Sequence, residues 1–245
     1  MTTIVDNKQK MEPMIQVRPG DERGKFKIGW LDAKYTFSFN RYYDPEHMQF
    51  RSMRVLNEDR VAPGQGFGMH PHDNMEILTW ILDGALEHQD TSGGGGVIRH
   101  GELQHMSAGT GVSHSEFNPS QTESTHLFQI WLVPEARDLE PGYDQKSFPA
   151  EGRRNRLQRI ASRTAADGAL RIHQDVEVFA LDLSAGASVT HTTSVERSVW
   201  IQLAKGSLVV NGTRLEAGDG AAITGTETLA LSAGAEAHLL LFDLK

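Results

Sequence analysis

Cysteine is absent from all 245 residues. That excludes disulfides, thiolate metal sites and cysteine nucleophiles, so any metal must be held by imidazole and carboxylate. Long apolar runs are absent too. None approaches the ~20 residues that a membrane-spanning helix needs, and the opening stretch MTTIVDNKQKMEPM carries no apolar core of a secretory signal. No membrane association and a cytoplasmic location are therefore expected. Positive charge is scarce: the formal net charge is −8, which argues against direct nucleic-acid binding, since that depends on neutralising phosphates. The one basic cluster, RRNRLQR (153–159), reads as a solvated linker or strand edge. No Gly-X-Ser-X-Gly elbow occurs, which removes the commonest serine hydrolase arrangement. The run SGGGG (92–96) lacks the Lys-Ser/Thr that completes a phosphate loop, so it reads as a flexible surface loop.

What is present is a succession of short runs rich in β-branched and aromatic residues. Examples are YTFSFNRYY (35–43), MEILTWIL (75–82), HLFQIWLV (126–133), VEVFALDL (176–183), SVWIQLA (198–204) and HLLLFDL (238–244). Their even spacing, with glycine-marked turns between them, predicts an all-β sandwich or barrel. Asp83-Gly84 reads as a hairpin turn. A weak internal repeat is visible. WILDGALEHQD (80–90) followed by LQHMSAGTG (103–111) resembles WIQLAKGSLVVNG (200–212) followed by RLEAGDG (214–220). Two β units in one chain are expected, with the boundary near SFPAEGRRNR (147–156).

The chemistry-bearing signal is a pair of pairs. In a strand, residues i and i+2 point to the same face. His70 and His72 in GMHPHDNMEIL (68–78) therefore share a face, with Pro71 suited to a strand start or edge. His114 and Glu116 in GTGVSHSEF (109–117) repeat the spacing. Three imidazoles and one carboxylate on two strands would suit a divalent first-row metal. A metallo-β-lactamase-type site needs Asp and His where this chain has Asn74 and Met75, and an amidohydrolase barrel would need alternating strands and helices.

These residues resemble the cupin superfamily. Its first motif matches Gly64, His70, His72, Glu76 and Gly84, and its second matches Gly111 and His114. More narrowly, SFNRYYDP (38–45), GFGMHPHDNMEILTWILDGALEHQD (66–90) and GELQHMSAGTGVSHSEFN (101–118) resemble the pirin family, over nearly the whole chain from about residue 15. The resemblance implies a bicupin, two jelly-roll β-barrels packed in one chain. Residues 1–148 would form a metal-binding barrel and 149–245 a metal-free one. The implied ligands are His70, His72, His114 and Glu116, holding one divalent transition metal: Fe2+ first, with Mn, Co, Ni, Cu or Zn as alternatives. Glu76 stands at the usual cupin glutamate position and is expected to support the ligands.

Several bacterial pirins resemble quercetin 2,3-dioxygenase, which implies an oxidoreductase that opens a flavonol with O2, with Glu116 as the base. The alternative, implied by eukaryotic pirins, is a metal- or redox-sensing regulator that binds a protein partner. A planar substrate would want aromatic walls, for which Phe67, Phe117, Trp80, Trp131 and FSFNRYY (37–43) are candidates. In the second repeat only His191 stands near the ligand positions, and it reads as a surface or loop histidine. The remaining histidines, His88, His105 and His126 among them, lack paired spacing.

Overall fold

The computed structural model describes residues 13–245; most of the N-terminal stretch MTTIVDNKQKMEPM, expected to carry no secretory signal, lies outside the described residues. The described chain is almost entirely β and folds into two barrels, each built from a seven-stranded and a four-stranded antiparallel-dominated sheet. In the first barrel the large sheet runs Gly142–Ser147, Glu102–Ser107, Glu76–Asp83, Thr125–Leu132, Met53–Val61, Leu31–Tyr35, Gly24–Ile28. The small sheet runs Gly66–His72, Val112–Phe117, Ala85–Asp90, Gly95–Arg99.

The second barrel repeats this plan. Its large sheet contains Gly220–Thr224, Ser198–Lys205, Ala237–Leu244, Val176–Leu183 and Gln158–Ser162, and its small sheet runs Ser188–Thr192, Thr228–Ser232, Ser207–Val210, Thr213–Glu216. In one place hydrogen bonding departs from chain order. Met14–Arg18 pairs with Gly220–Thr224 and so extends the second barrel, although the sequence division assigns residues 1–148 to the first.

Alternation explains how each large sheet serves two cores. Along Glu76–Asp83, Leu78 and Trp80 face the other barrel and join Phe128, Trp200, Leu240 and Phe242 in one shared core, while Ile77 packs inside the first barrel with Met106 and Val112. Both faces are buried, so the strand reads as a continuous apolar run and not as an alternating one.

Asp83-Gly84 does not make a hairpin. The strands on either side of it lie in different sheets, and Gly84, at φ 76°, turns the chain from one to the other; Gly206, at φ 81°, does the same in the second barrel. The run 35–43 is a strand only to Tyr35. Beyond it Phe39 and Tyr42 bridge across Asn40, whose φ is 52°. The basic cluster is solvated only in part: Arg154, Asn155 and Arg156 are exposed, whereas Arg153 is buried, donates to Phe148 O at 2.5 Å and pairs with Asp182 at 2.8 Å.

Candidate metal centre

Gly66–His72 and Val112–Phe117 are adjacent antiparallel strands, with His70 opposite His114 and His72 opposite Val112. The register shifts between His114 and Glu116, a β-bulge of the kind that re-aims a side chain. His70, His72 and His114 converge. Each offers a ring nitrogen, and these lie within 4.8 Å of one another. A second such group contains His114, Glu116 and His88. His114 is common to both groups, so all four sequence-expected residues gather at one place.

The imidazoles present lone pairs. His70 Nδ1 lies 2.7 Å from Gly68 O, so Nδ1–H donates there and Nε2 is left bare. His72 Nε2 and His114 Nε2 are buried with no hydrogen-bond partner. Burial, reinforced by His70, lowers His72 to about 4; burial, with His70, His72 and His88, lowers His114 to about 3. Both are neutral at pH 7, the ligating form. Orphaned buried nitrogens cost stability unless something meets them, and this donor set fits a divalent first-row cation.

Glu116 is 3% exposed. Gln129 Nε2 donates to both of its carboxylate oxygens, at 3.1 and 3.0 Å, and Thr79 Oγ1 donates to Gln129 Oε1 at 3.2 Å. Burial outweighs those hydrogen bonds and pushes the carboxyl up to about 7.

Sequence reasoning passed over His88. Its ring is fully buried behind His114, with Nδ1 to Nδ1 3.3 Å, and its Nε2 lies 3.0 Å from Asp90 Oδ2. His88 and Asp90 have the same i, i+2 spacing as the recognised pairs, so the signal was present. Asp90 also accounts for the glycine run. Its Oδ1 accepts from Ser92 N, Ser92 Oγ and Gly94 N at 2.7–2.9 Å, and a Cβ at Gly94 would collide with Asp90 and Tyr143. The run is an anchored turn.

Glu76 is corrected by its place on the strand. It is fully buried, but it shares the Leu78–Trp80 face and so points away from the histidines. It accepts from His105 Nε2 (2.8 Å), Ser107 Oγ (2.6 Å) and His173 N (2.9 Å). His126 likewise lies elsewhere, 2.9 Å from Glu58. His191 is neither surface nor loop: it is buried in the second barrel, 2.9 Å from Asp243 Oδ2.

A cavity of about 450 Å3 opens over His70, His72 and Glu116. Phe67, Phe39 and Trp131 line it as expected, joined by Trp30 and Tyr35, which the sequence did not single out. Trp30 meets Phe67 edge-on at 5.1 Å, and Phe39 meets Trp131 at 5.4 Å. Trp80 instead belongs to the core between barrels, and Phe117 points outward, 39% exposed, because it alternates with Glu116.

Two cupin barrels in one chain, one of them holding the histidine–glutamate cluster, define a bicupin. Two family models match the chain: Pirin over residues 16–132 and the quercetinase C-terminal cupin domain over 159–244. The chain belongs to the pirin family. It is 46% identical over 232 residues to the quercetin 2,3-dioxygenase of Escherichia coli strain K12, covering 94% of this chain and 99% of that one. It is 41% identical over 231 residues to a pirin-like protein of Caulobacter vibrioides, covering 94% and 99%. Among solved structures, YhhW from E. coli superposes with a TM-score of 0.91 at 45% identity, covering 95% of this chain and 98% of that one. The bacterial pirin YhhW in complex with nickel(II) gives 0.90 at 45% identity, covering 94% and 99%. No helix among the described residues is long and apolar enough to cross a membrane.

Proposed function

We propose that the protein is a metal-dependent dioxygenase that opens a flavonol such as quercetin with O2, and that His70, His72, His114 and Glu116 hold one divalent transition metal, Fe2+ foremost. The observation that carries this is the placement of bare imidazole nitrogens and a buried carboxylate at the floor of an aromatic-walled cavity. The donor set also accepts Ni2+, the ion in the E. coli relative. The relative's name, quercetin 2,3-dioxygenase, supports the substrate class.

A transition ion held there supplies Lewis-acid stabilisation of negative charge on a substrate oxygen and one-electron redox capacity towards O2. The rest falls to the chain. Trp30, Phe67, Phe39 and Trp131 hold a planar ring and keep water from it. Glu116 takes the proton from the flavonol 3-hydroxyl. Its burial places the carboxylate in a water-poor site, where a base beside the substrate hydroxyl is effective. Gln129, itself held by Thr79, fixes the direction from which the carboxylate approaches.

The test is O2 uptake and carbon monoxide release by the metal-loaded protein across a panel of flavonols, alongside elemental analysis. Turnover with about one metal per chain supports the reading. Metal binding without O2 uptake on any flavonol would overturn the dioxygenase and leave the metal-sensing regulator.

A further inference from the structure

Two polar atoms in the cavity wall are buried without a partner: Asn57 Oδ1 and Asp59 Oδ1. The residues are 3% and 6% exposed and lie two apart on Met53–Val61, so they share the inward face. Glu58 between them turns the other way, where Arg23 and His126 satisfy it. Gln129 lies across from Asn57, but its amide is committed to Glu116 and Thr79. Across from Asp59 on the other side is Ala33, too small to fill the space or donate a hydrogen bond.

The fold does not require a carboxyl at position 59. Trp80 pairs with Phe128 as Trp200 pairs with Phe242, and that shared register aligns Asp59 with Phe179. Phe179 packs with the leucines of the second barrel. A buried carboxyl with an unmet oxygen is destabilising where an apolar side chain would not be. Burial, with Glu116 nearby, raises Asp59 to about 7, which expresses the same unmet need.

We propose that Asn57 and Asp59 form a hydroxyl-binding pair that takes two hydroxyl groups on one edge of a planar polyphenol lying between the aromatic walls. This rests on the flavonol reading and makes it specific. The aromatic surfaces accept any flat ring, whereas unpartnered acceptors discriminate strongly against a ring lacking the matching donors.

The experiment is a fluorescence titration, using Trp30 and Trp131 in the cavity as reporters, of metal-loaded protein with quercetin and each of its mono-O-methyl ethers. Wild type, Asp59→Leu and Asn57→Leu are compared, with metal content and melting temperature measured on each. In wild type, at least one ether other than the 3-O-methyl ether, whose hydroxyl is the one assigned to Glu116, should bind about tenfold or more weakly than quercetin, the size of one charge-assisted hydrogen bond. Each leucine variant should lose that discrimination, keep its metal and melt at or above the wild-type temperature. A role confined to structure would instead lower the melting temperature and leave the discrimination intact, which overturns the pair. Should a variant fail to fold, the ether series on wild type still decides: equal binding of quercetin and all ethers other than the 3-O-methyl ether overturns the pair. Flavonols that bind and turn over with the ether ratio unchanged in the variants overturn the pair alone. Absence of any flavonol binding by wild type overturns the pair and the flavonol reading together.

Discussion

The two barrels share strand order, corner glycines and a Trp–Phe register, yet their interiors differ. In the first, the inward positions of the small sheet hold His70, His72, His114, Glu116 and His88. In the second, Leu208, Val210, Leu229 and Leu231 fill the corresponding strands. Counting from the corner glycines Gly84 and Gly206, His88 corresponds to Val210. The register that aligns the tryptophans sets Thr79 against Val199 and Gln129 against Asp243. Asp243 keeps one buried polar cluster in the second barrel, but that cluster closes on itself: its carboxylate meets His191 and Arg197. The first barrel's imidazole nitrogens stay open. The backbone therefore tolerates either filling, and the chemistry resides in which side chains point inward.

The harshest test of this contrast removes proposed ligands from one barrel and a histidine from the other. His70→Ala/His114→Ala should abolish metal binding and turnover while circular dichroism stays that of the folded protein. His191→Ala should leave metal content unchanged and lower the melting temperature, since Asp243 loses a buried partner. Elemental analysis of both decides it: full occupancy in the double variant, or loss of metal from His191→Ala, breaks the comparison. Next in size is Glu116→Gln. Size and one carbonyl oxygen are retained, so metal should remain. Flavonol oxidation should fall about 10²–10⁴-fold, the usual worth of a general base, a barrier rise of about 3–5 kcal/mol.

How much of this was legible in the sequence depended on the period of two. His70/His72 and His114/Glu116 stand out because their neighbours differ in kind, so the inward face is visible without a structure. The barrel class followed from the strand spacing, and the repeat followed from its tryptophans and glycines. Asn57 and Asp59 sit in Asn57-Glu58-Asp59-Arg60, where every residue is polar. Only pairing with Gln129 and Ala33 separates the inward residues from Glu58. Glu76 misled because motif position fixes a place on the strand but not which of two buried faces it takes. His88 was missed although its spacing to Asp90 was readable, because no glycine-led motif announced it.

Glu76 tests the seam between the barrels. Burial pushes its carboxyl up, but His105, Ser107 and the His173 backbone together outweigh that and hold it down to about 2, against a model-compound value of 4.5. A depressed folded value contributes stability that is complete above the unfolded pKa and is lost as pH falls from about 4.5 towards about 2. The shift corresponds to about 3 kcal/mol at neutral pH. Glu76→Gln should therefore melt well below wild type at pH 7. The gap should narrow steadily between pH 5 and 2, and metal content should stay unchanged because the group faces away from the histidines. A gap independent of pH would mean that packing, and not charge, is what Glu76 contributes.

The smallest expected effect is the most specific to the first barrel. Burial lowers the His88 pKa, so its ring is neutral at pH 7. Asp90 accepts a hydrogen bond from His88 Nε2–H, which leaves His88 Nδ1 bare. That nitrogen can then accept from His114 Nδ1–H, which keeps His114 Nε2 as the free lone pair. A carboxylate thus acts through two rings to fix the tautomer and orientation of His114, a proposed ligand, an arrangement whose loss typically costs about 10–100-fold in metal affinity. Asp90→Asn keeps the shape but offers an amide that can turn its NH2 to His88 and reverse the proton order. Metal affinity, measured by competition with a chelator, should fall by about that range. Tyr143, stacked on His88 at 4.9 Å, should keep the ring in place, so the change should appear in affinity and not in melting of the metal-free protein. Affinity equal to wild type would show that His114 holds its tautomer without help. The second barrel would then differ from the first only in its ligands, and not in the residues behind them.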